Sequence, residues 1–175
     1  SPQIAARVAT FAFVPKHSNT MPTFIKNFSE ISIRHLALVG GKNASLGEMF
    51  CQLTPKGILV PDGFAVTSEA YGVFLDENHL RKPLDDLLVQ LDKADFSNLE
   101  SIGAEARALI LDAAVPKTVE AAIGQAYRDL CAREGADISL AVRSSATAED
   151  LPTASFAGRL ESFLNIRGEQ ELLRA

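Results

Sequence analysis

The sequence predicts an α+β fold, with short strands near both ends of the chain and a helical block between them. Strand-forming runs at residues 64–67, 138–142 and 162–166 are each bounded by turn residues. Between the first and second of these runs, residues 83–134 carry apolar side chains at helical spacing. The two kinds of periodicity are therefore segregated along the chain, as in an α+β protein.

Composition places the chain among ordinary globular proteins. Its 175 residues allow one domain or two small lobes, and 47% are hydrophobic while 22% are charged. The formal charge of −5 argues against nucleic acid as a partner, and we find no apolar run long enough to predict a membrane span. Cys51 and Cys131 lack metal-ligand spacing. We expect a cytoplasmic protein with reduced cysteines.

The first twenty residues differ in character from the remainder. Residues 8–14 are apolar, but Pro15 and Lys16 interrupt them and no small-residue cleavage pattern follows, so a signal peptide is not predicted. Met21 opens a segment that resembles a natural start. We expect residues 1–20 to be a variable or added extension and residues 21–175 to form the domain.

A glycine pair precedes the first predicted helix. Gly40 and Gly41 permit a turn that other residues adopt only with strain, and Lys42 follows at the helix start. The helix is predicted from apolar side chains at i, i+3, i+4 and i+7: Leu46, Met49, Phe50 and Leu53. A helix N-terminus suits phosphate, yet this is not a Walker A loop. From the residues alone, Lys42 is either a phosphate ligand or a solvated lysine beside a turn.

The next segments read as scaffold. Pro61-Asp62-Gly63 predicts a turn into the strand at residues 64–67, and Thr67 or Ser68 can cap a following helix. Residues 97–100 have the pattern of a capping box for a later helix. Pro116 suits the first turn of another helix. We expect the leucine stripe that begins at Leu84 to be core.

The most informative stretch follows the run at residues 138–142, which is apolar enough to predict a buried strand. Arg143 ends that strand and presents a rigid fork of donors for phosphate or carboxylate oxygens. Small and hydroxyl residues come next, beginning with Ser144, and Glu149 and Asp150 lie a few positions on. Arg143 can therefore serve a phosphate ligand or pair with one of these carboxylates. A further strand at 162–166 and a helix from Glu169 complete the chain.

Two motifs carry a resemblance to a known family. Residues 40–49 read GGKNASLGEM, and residues 142–158 read VRSSATAEDLPTASFAG. Both are similar to motifs in the ATP-binding domain of the phosphoenolpyruvate synthase and pyruvate phosphate dikinase superfamily, which includes rifampicin phosphotransferase. The resemblance covers roughly residues 28–175. One departure follows the second motif, where Arg159 and Leu160 replace a glutamine pair that is usual in relatives.

The resemblance implies an ATP-grasp-like fold, of which this chain is the N-terminal lobe. By motif position Lys42 and Arg143 hold ATP phosphates, and Gly158 and Ser162 line the same site. Five further residues are expected to support it: Ser144, Glu149, Asp150, Arg159 and Glu161. No catalytic residue is expected in the chain, because the phosphohistidine domain and the second lobe, which carries the Mg²⁺ ligands, are not matched by any stretch.

The implied activity is that of phosphoenolpyruvate synthase, which converts ATP, pyruvate and water to phosphoenolpyruvate, AMP and phosphate. A rifampicin phosphotransferase, a pyruvate phosphate dikinase and a truncated non-catalytic binding module remain alternatives. These 175 residues alone are expected to be inactive and to self-associate through the face that meets the second lobe.

Overall fold

The computed structural model describes residues 22–135, 138–145 and 162–175. The helices in these ranges are α1 (Leu36–Leu53), α2 (Ser68–Glu77), α3 (Arg81–Val89), α4 (Leu99–Leu111), α5 (Lys117–Glu134) and α6 (Glu169–Arg174). The strands are β1 (Ile25–Asn27), β2 (Phe64–Val66), β3 (Leu140–Arg143) and β4 (Ser162–Ile166). The predicted α+β composition is confirmed. No helix in the described ranges is both long and apolar enough to cross a membrane.

The strands form two separate antiparallel pairs. In the first pair, Lys26 of β1 lies opposite Ala65 of β2. In the second pair, Arg143 of β3 lies opposite Ser162 of β4, and the register shifts between Leu140 and Val142. The order of elements therefore places helices α2 to α5 between the two strand pairs.

Two clusters of buried side chains form the core. The first joins β2 to the start of α1 and comprises Ile31, Val39, Ala44 and Ala65. The second lies among α2, α3 and α4 and comprises Leu75, Leu80, Leu84 and Ile110. The predicted leucine stripe is confirmed at Leu84, which is fully buried, whereas Leu88 is 38% exposed.

Helix α1 is broken at Gly40, as the glycine pair predicts. Gly40 has φ 79° and ψ 165°, a backbone conformation that is open essentially to glycine alone. The face that α1 buries was not predicted. The proposed stripe of Leu46, Met49, Phe50 and Leu53 is only partly covered, while Ala44 and Gly47 are buried. The face with small residues is buried because it approaches Ile31 so closely that a Cβ at Gly47 would overlap the Ile31 side chain.

One predicted helix cap is confirmed and another is wrong. The Thr67 side chain accepts a hydrogen bond from the Ala70 N–H at the start of α2. The capping box predicted for residues 97–100 does not form, because the residue preceding α4 is Asn98. Its side chain donates to the Gln90 carbonyl and accepts from the Asp92 N–H, so it orders the loop before α4 instead.

The predicted strands near the end of the chain are confirmed with one correction. Strand β4 has the predicted bounds, and β3 is shifted by one or two residues so that it includes Arg143. Burial of this strand was predicted wrongly: Leu140 and Val142 are half-buried, and Ala141 and Arg143 are exposed. A two-stranded pair covers little of either strand, so apolar composition alone did not determine burial. The extension predicted at residues 1–20 lies outside the described residues.

Candidate functional site

A cavity of about 370 Å³ lies between the broken helix α1 and the end of strand β3. The lining residues come from two distant parts of the sequence: Gly41, Lys42, Asn43, Ser45, Leu46, Arg143 and Ser144. Its volume falls within the range of small-molecule sites. The fold therefore brings together the two sequence motifs that were singled out for a common site.

The α1 wall begins at the break. Because Gly40 departs from helical geometry, residues 41–53 start a new helical segment with Lys42 in its first turn. The first N–H groups of a helix lack intrahelical acceptors, and the helix dipole gives them partial positive charge. The Asn43 side chain donates to the Val39 carbonyl oxygen at 2.9 Å, a bond that spans the break. The wall thus presents a fixed helix N-terminus and a lysine.

The β3 wall presents an arginine at a strand end. Arg143 is the last residue of β3, its side chain is exposed, and Ser144 follows it directly. Ser162 lies opposite Arg143 in the strand pair, although it is not among the residues that line the cavity. The pairing with β4 therefore fixes the backbone at the position where the guanidinium group is presented.

The electrostatic character of the cavity suits an anion. The described residues that line it include two cationic side chains and two hydroxyl groups, with no carboxylate among them. An arginine fork and a lysine beside a helix N-terminus are donors that bind phosphate oxygens. The described lining residues offer no carboxylate ligand for Mg²⁺, and the described residues contain no cluster of histidine, cysteine, aspartate and glutamate that would hold a metal ion.

The structure unites part of the predicted site. Lys42, Arg143 and Ser144 line one cavity, and Ser162 is the strand neighbour of Arg143. The remaining predicted residues lie outside the described residues: Glu149, Asp150, Gly158, Arg159 and Glu161. The alternative ion pair between Arg143 and Glu149 or Asp150 stays a prediction for the same reason.

Sequence reasoning missed Asn43, Ser45 and Leu46 as lining residues. Ser45 lies one turn beyond Lys42, at i+3 on the same face of the helix, so the helical period was a signal that could have found it. The same period assigned Leu46 to the core, whereas Leu46 is only partly buried and lines the cavity. No sequence pattern indicated Asn43, because its side chain is held by a hydrogen bond to the Val39 carbonyl across the break at Gly40.

Comparison with known proteins agrees with these motifs. Residues 36–175 match the family model described as pyruvate phosphate dikinase, AMP/ATP-binding domain. The chain is 50% identical over 144 residues to a phosphoenolpyruvate synthase of Synechocystis, covering 79% of this chain and 18% of that protein. A phosphoenolpyruvate synthase of Neisseria meningitidis is 52% identical over 142 residues, covering 81% and 18%.

The Escherichia coli phosphoenolpyruvate synthase is 43% identical over 148 residues, covering 85% of this chain and 19% of that protein. The chain thus spans slightly less than a fifth of the length of these curated relatives. The residues matched by the family model, 36–175, include both walls of the cavity. The chain belongs to the family of pyruvate phosphate dikinase AMP/ATP-binding domains.

Proposed function

We propose that this chain is the ATP-binding part of a phosphoenolpyruvate synthase and that the cavity between α1 and β3 holds the phosphates of ATP. The observation that carries the proposal is the meeting of Lys42 and Arg143, from two distant motifs, in one cavity. The naming of relatives at 43% to 52% identity as phosphoenolpyruvate synthases supports this choice of reaction. We expect the full-length protein to make phosphoenolpyruvate, AMP and phosphate from ATP, pyruvate and water through a phosphohistidine.

The two cations have different tasks in this proposal. Arg143 grips phosphate oxygens with a planar fork, while Lys42 neutralises charge as a mobile ammonium group above the helix N-terminus. Phosphoryl transfer depends mainly on positioning and on stabilising charge that shifts during the reaction. The backbone at Gly158 and the hydroxyl of Ser162 are expected to belong to the same site when ATP is bound, since Ser162 lies opposite Arg143 in the strand pair. Five further residues are expected to support the site: Ser144, Glu149, Asp150, Arg159 and Glu161.

The rest of the architecture is proposed with the reaction. Residues 21–175 form the N-terminal lobe of an ATP-grasp-like domain, and residues 1–20 are an extension outside it. Mg²⁺ accompanies ATP when bound, and its protein ligands are expected outside this chain. We expect the enzyme to act in the cytoplasm, in gluconeogenesis.

The test uses the full-length polypeptide that carries these residues. Lys42→Ala and Arg143→Ala are each expected to lower ATP-dependent phosphoenolpyruvate formation by about 100- to 1,000-fold, the usual cost of losing one preorganised charge-stabilising donor. Lys56→Ala is the matched control, because this exposed lysine lies in the turn just beyond the opposite end of α1. Near-normal turnover in Arg143→Ala with an intact thermal transition would overturn the phosphate-binding role.

The isolated chain provides a second test. Since ATP is proposed to lie between two lobes, these 175 residues alone should bind ATP weakly and form no AMP in a pyruvate-dependent manner. They should also self-associate through the lobe-facing surface. Robust turnover by the purified chain would contradict the two-lobe architecture.

A further inference from the structure

Helix α5 contacts the supports of both cavity walls. It packs against β1, in the same part of the fold as α1, and against α6, which follows β4 directly in the chain. The cavity itself lies between α1 and β3, and α5 contributes no side chain to it. Because α5 contacts both β1 and α6, it can determine the distance between the α1 wall and the β3 wall.

On the α1 side, α5 is attached through a nearly buried carboxylate. Arg133 Nε donates to Asp62 Oδ2 at 2.9 Å, and the Asp62 side chain is only 9% exposed. The other oxygen of Asp62 accepts from the Gly63 N–H at 2.8 Å, and the Gly63 carbonyl accepts from the Phe28 N–H at 2.9 Å. Phe28 packs against the buried cluster that seats α1. Arg133 is therefore connected to the α1 wall through three successive hydrogen bonds and the packing of Phe28.

On the hairpin side, α5 is attached to the turn and helix that follow β4. Arg128 Nη1 forms an ion pair with Glu169 Oε2 at 2.7 Å, and the Tyr127 hydroxyl accepts a hydrogen bond from the Gly168 N–H at 2.9 Å. The Glu169 carboxylate lies directly over Gly124, where a Cβ would overlap it. A residue without a side chain at position 124 thus allows α6 to approach α5 closely.

The hairpin depends on this attachment because its own packing is slight. Every described residue of β3 and β4 is exposed or only half-buried. A two-stranded hairpin is marginally stable by itself. The end of β4 that adjoins α6 is held by contacts to α5, and strand pairing carries that constraint to Arg143 at the other end of the hairpin.

We infer that α5 is a strut between the two walls and that Arg128 and Arg133 are positioning residues for the phosphate site. The functional part of this inference rests on the proposed ATP binding, whereas the structural part concerns only the distance between α1 and β4. Of the two ion pairs, Arg128–Glu169 is exposed and adds little to global stability, whereas Arg133 pairs with the nearly buried Asp62, which loses one of its two hydrogen bonds when Arg133 is removed. Their effect lies in the separation of Lys42 and Arg143, and small displacements of binding groups weaken sites strongly.

The distance can be measured without ATP. Nitroxide labels on cysteines introduced at Met49 of α1 and Leu164 of β4, both exposed, report the separation by pulsed electron spin resonance in the full-length protein with its other cysteines replaced. Arg128→Ala and Arg133→Ala should each broaden the distance distribution. Lys117→Ala removes an ion pair confined to α5, with Glu120, and should leave the distribution unchanged. The exchange of charges in Arg128→Glu with Glu169→Arg should narrow it again.

ATP binding is then measured by calorimetry on the same unlabelled variants. We expect Arg128→Ala and Arg133→Ala to raise the Kd for ATP about 3- to 10-fold, and the charge exchange at Arg128 and Glu169 to restore it. The Tm should change little in Arg128→Ala and should fall in Arg133→Ala, because the nearly buried Asp62 loses a partner there. If the distance distributions are unchanged in Arg128→Ala and Arg133→Ala, α5 does not set the distance between the two walls. Broader distributions with unchanged ATP affinity overturn the positioning role. Absence of ATP binding by the wild-type protein contradicts the proposed function, while the distance measurement still decides the strut.

Discussion

The two walls of the cavity are built in opposite ways. The α1 wall grows out of a buried cluster in which Ala44 is fully covered and Val39 is 3% exposed, with a glycine face pressed against Ile31. The β3–β4 wall has no buried residue in its described strands, and Leu164 is 62% exposed. One wall is held by close packing, whereas the other is held by strand pairing and by polar contacts at its far end.

This difference predicts how each wall tolerates change. A packed core resists added atoms because its neighbours cannot move without opening voids elsewhere. A surface hairpin accepts most substitutions, but its direction depends on a few specific contacts. Mutations that alter α1 should therefore lower stability and function together, whereas mutations that alter the hairpin should change function with little loss of stability.

The largest expected effect on activity comes from the two cationic side chains, and exchanging arginine for lysine at one and lysine for arginine at the other distinguishes their roles. Arg143→Lys should recover little of the roughly 100- to 1,000-fold loss expected for Arg143→Ala, because a point charge cannot replace a bidentate fork. Lys42→Arg should recover more, since Lys42 is exposed at the helix start and acts as a point charge. Steady-state phosphoenolpyruvate formation by the full-length enzyme measures both. Equal recovery at the two positions would remove the proposed distinction.

The close packing of the α1 wall can be tested by adding one methyl group at Gly47. Gly47→Ala should lower the free energy of unfolding by about 1–3 kcal/mol, because the new Cβ meets both the side chain and the backbone carbonyl of Ile31. Gly103→Ala in α4 is the matched control, since a Cβ there meets only the end of the Arg107 side chain at 3.4 Å. The control should be neutral or stabilising by up to about 1 kcal/mol.

Urea denaturation of both variants measures the difference, and ATP affinity of Gly47→Ala measures whether Lys42 moves with its helix. If Gly47→Ala were as stable as Gly103→Ala, the close packing of α1 on Ile31 would be wrong.

The sequence predicted the α1 wall better in its backbone than in its packing. The break at Gly40 followed from local chemistry, because few residues other than glycine adopt its φ of 79°. The buried face did not, since periodicity identifies apolar side chains, whereas α1 is buried through Gly47 and Ala44. Close approach depends on what the neighbour presents, in this case Ile31, and that pairing is not local information.

In the hairpin wall, too, local structure was predicted better than burial. The bounds of β4 and the strand that leads to Arg143 were predicted from strand-forming runs bounded by polar or turn residues, yet the burial predicted for the strand that leads to Arg143 was wrong. Burial requires knowledge of what covers a strand, which no local pattern contains. The attachment of α6 to α5 was also invisible, because Arg128 and Glu169 are 41 residues apart and each resembles an ordinary surface charge.

The helical cluster among α2, α3 and α4 contributes no residue to the lining of the cavity. The Tyr71 hydroxyl is buried and finds no hydrogen-bond partner among the described residues, and burial raises its pKa although the nearby Arg81 opposes this shift. Tyr71→Phe should raise the free energy of unfolding by up to about 1 kcal/mol, because an unsatisfied polar group is removed. ATP affinity should not change.

The same residue gives a pH dependence. A folded-state pKa above the unfolded value of about 10 means that the folded protein binds more protons between the two values. The stability that this difference in pKa adds to the free energy of unfolding is thus complete below about pH 10 and is lost as the pH rises through the folded-state pKa. Thermal denaturation from about pH 8 to about pH 11 should show a shallower loss of stability with rising pH in Tyr71→Phe than in the wild type.

The smallest expected effect concerns the exposed face of the hairpin wall. Leu164→Thr replaces a side chain that is 62% exposed with another strand-forming residue, so the free energy of unfolding should change by less than about 0.5 kcal/mol. ATP affinity should also stay within about twofold, a difference of about 0.4 kcal/mol, because the Arg143 to Ser162 pairing and the contacts of α6 are untouched. Urea denaturation and calorimetry of the full-length variant check both values. A loss of stability comparable to that of Gly47→Ala would mean that the face bearing Leu164 is covered in the whole protein, and that both walls are then held by packing.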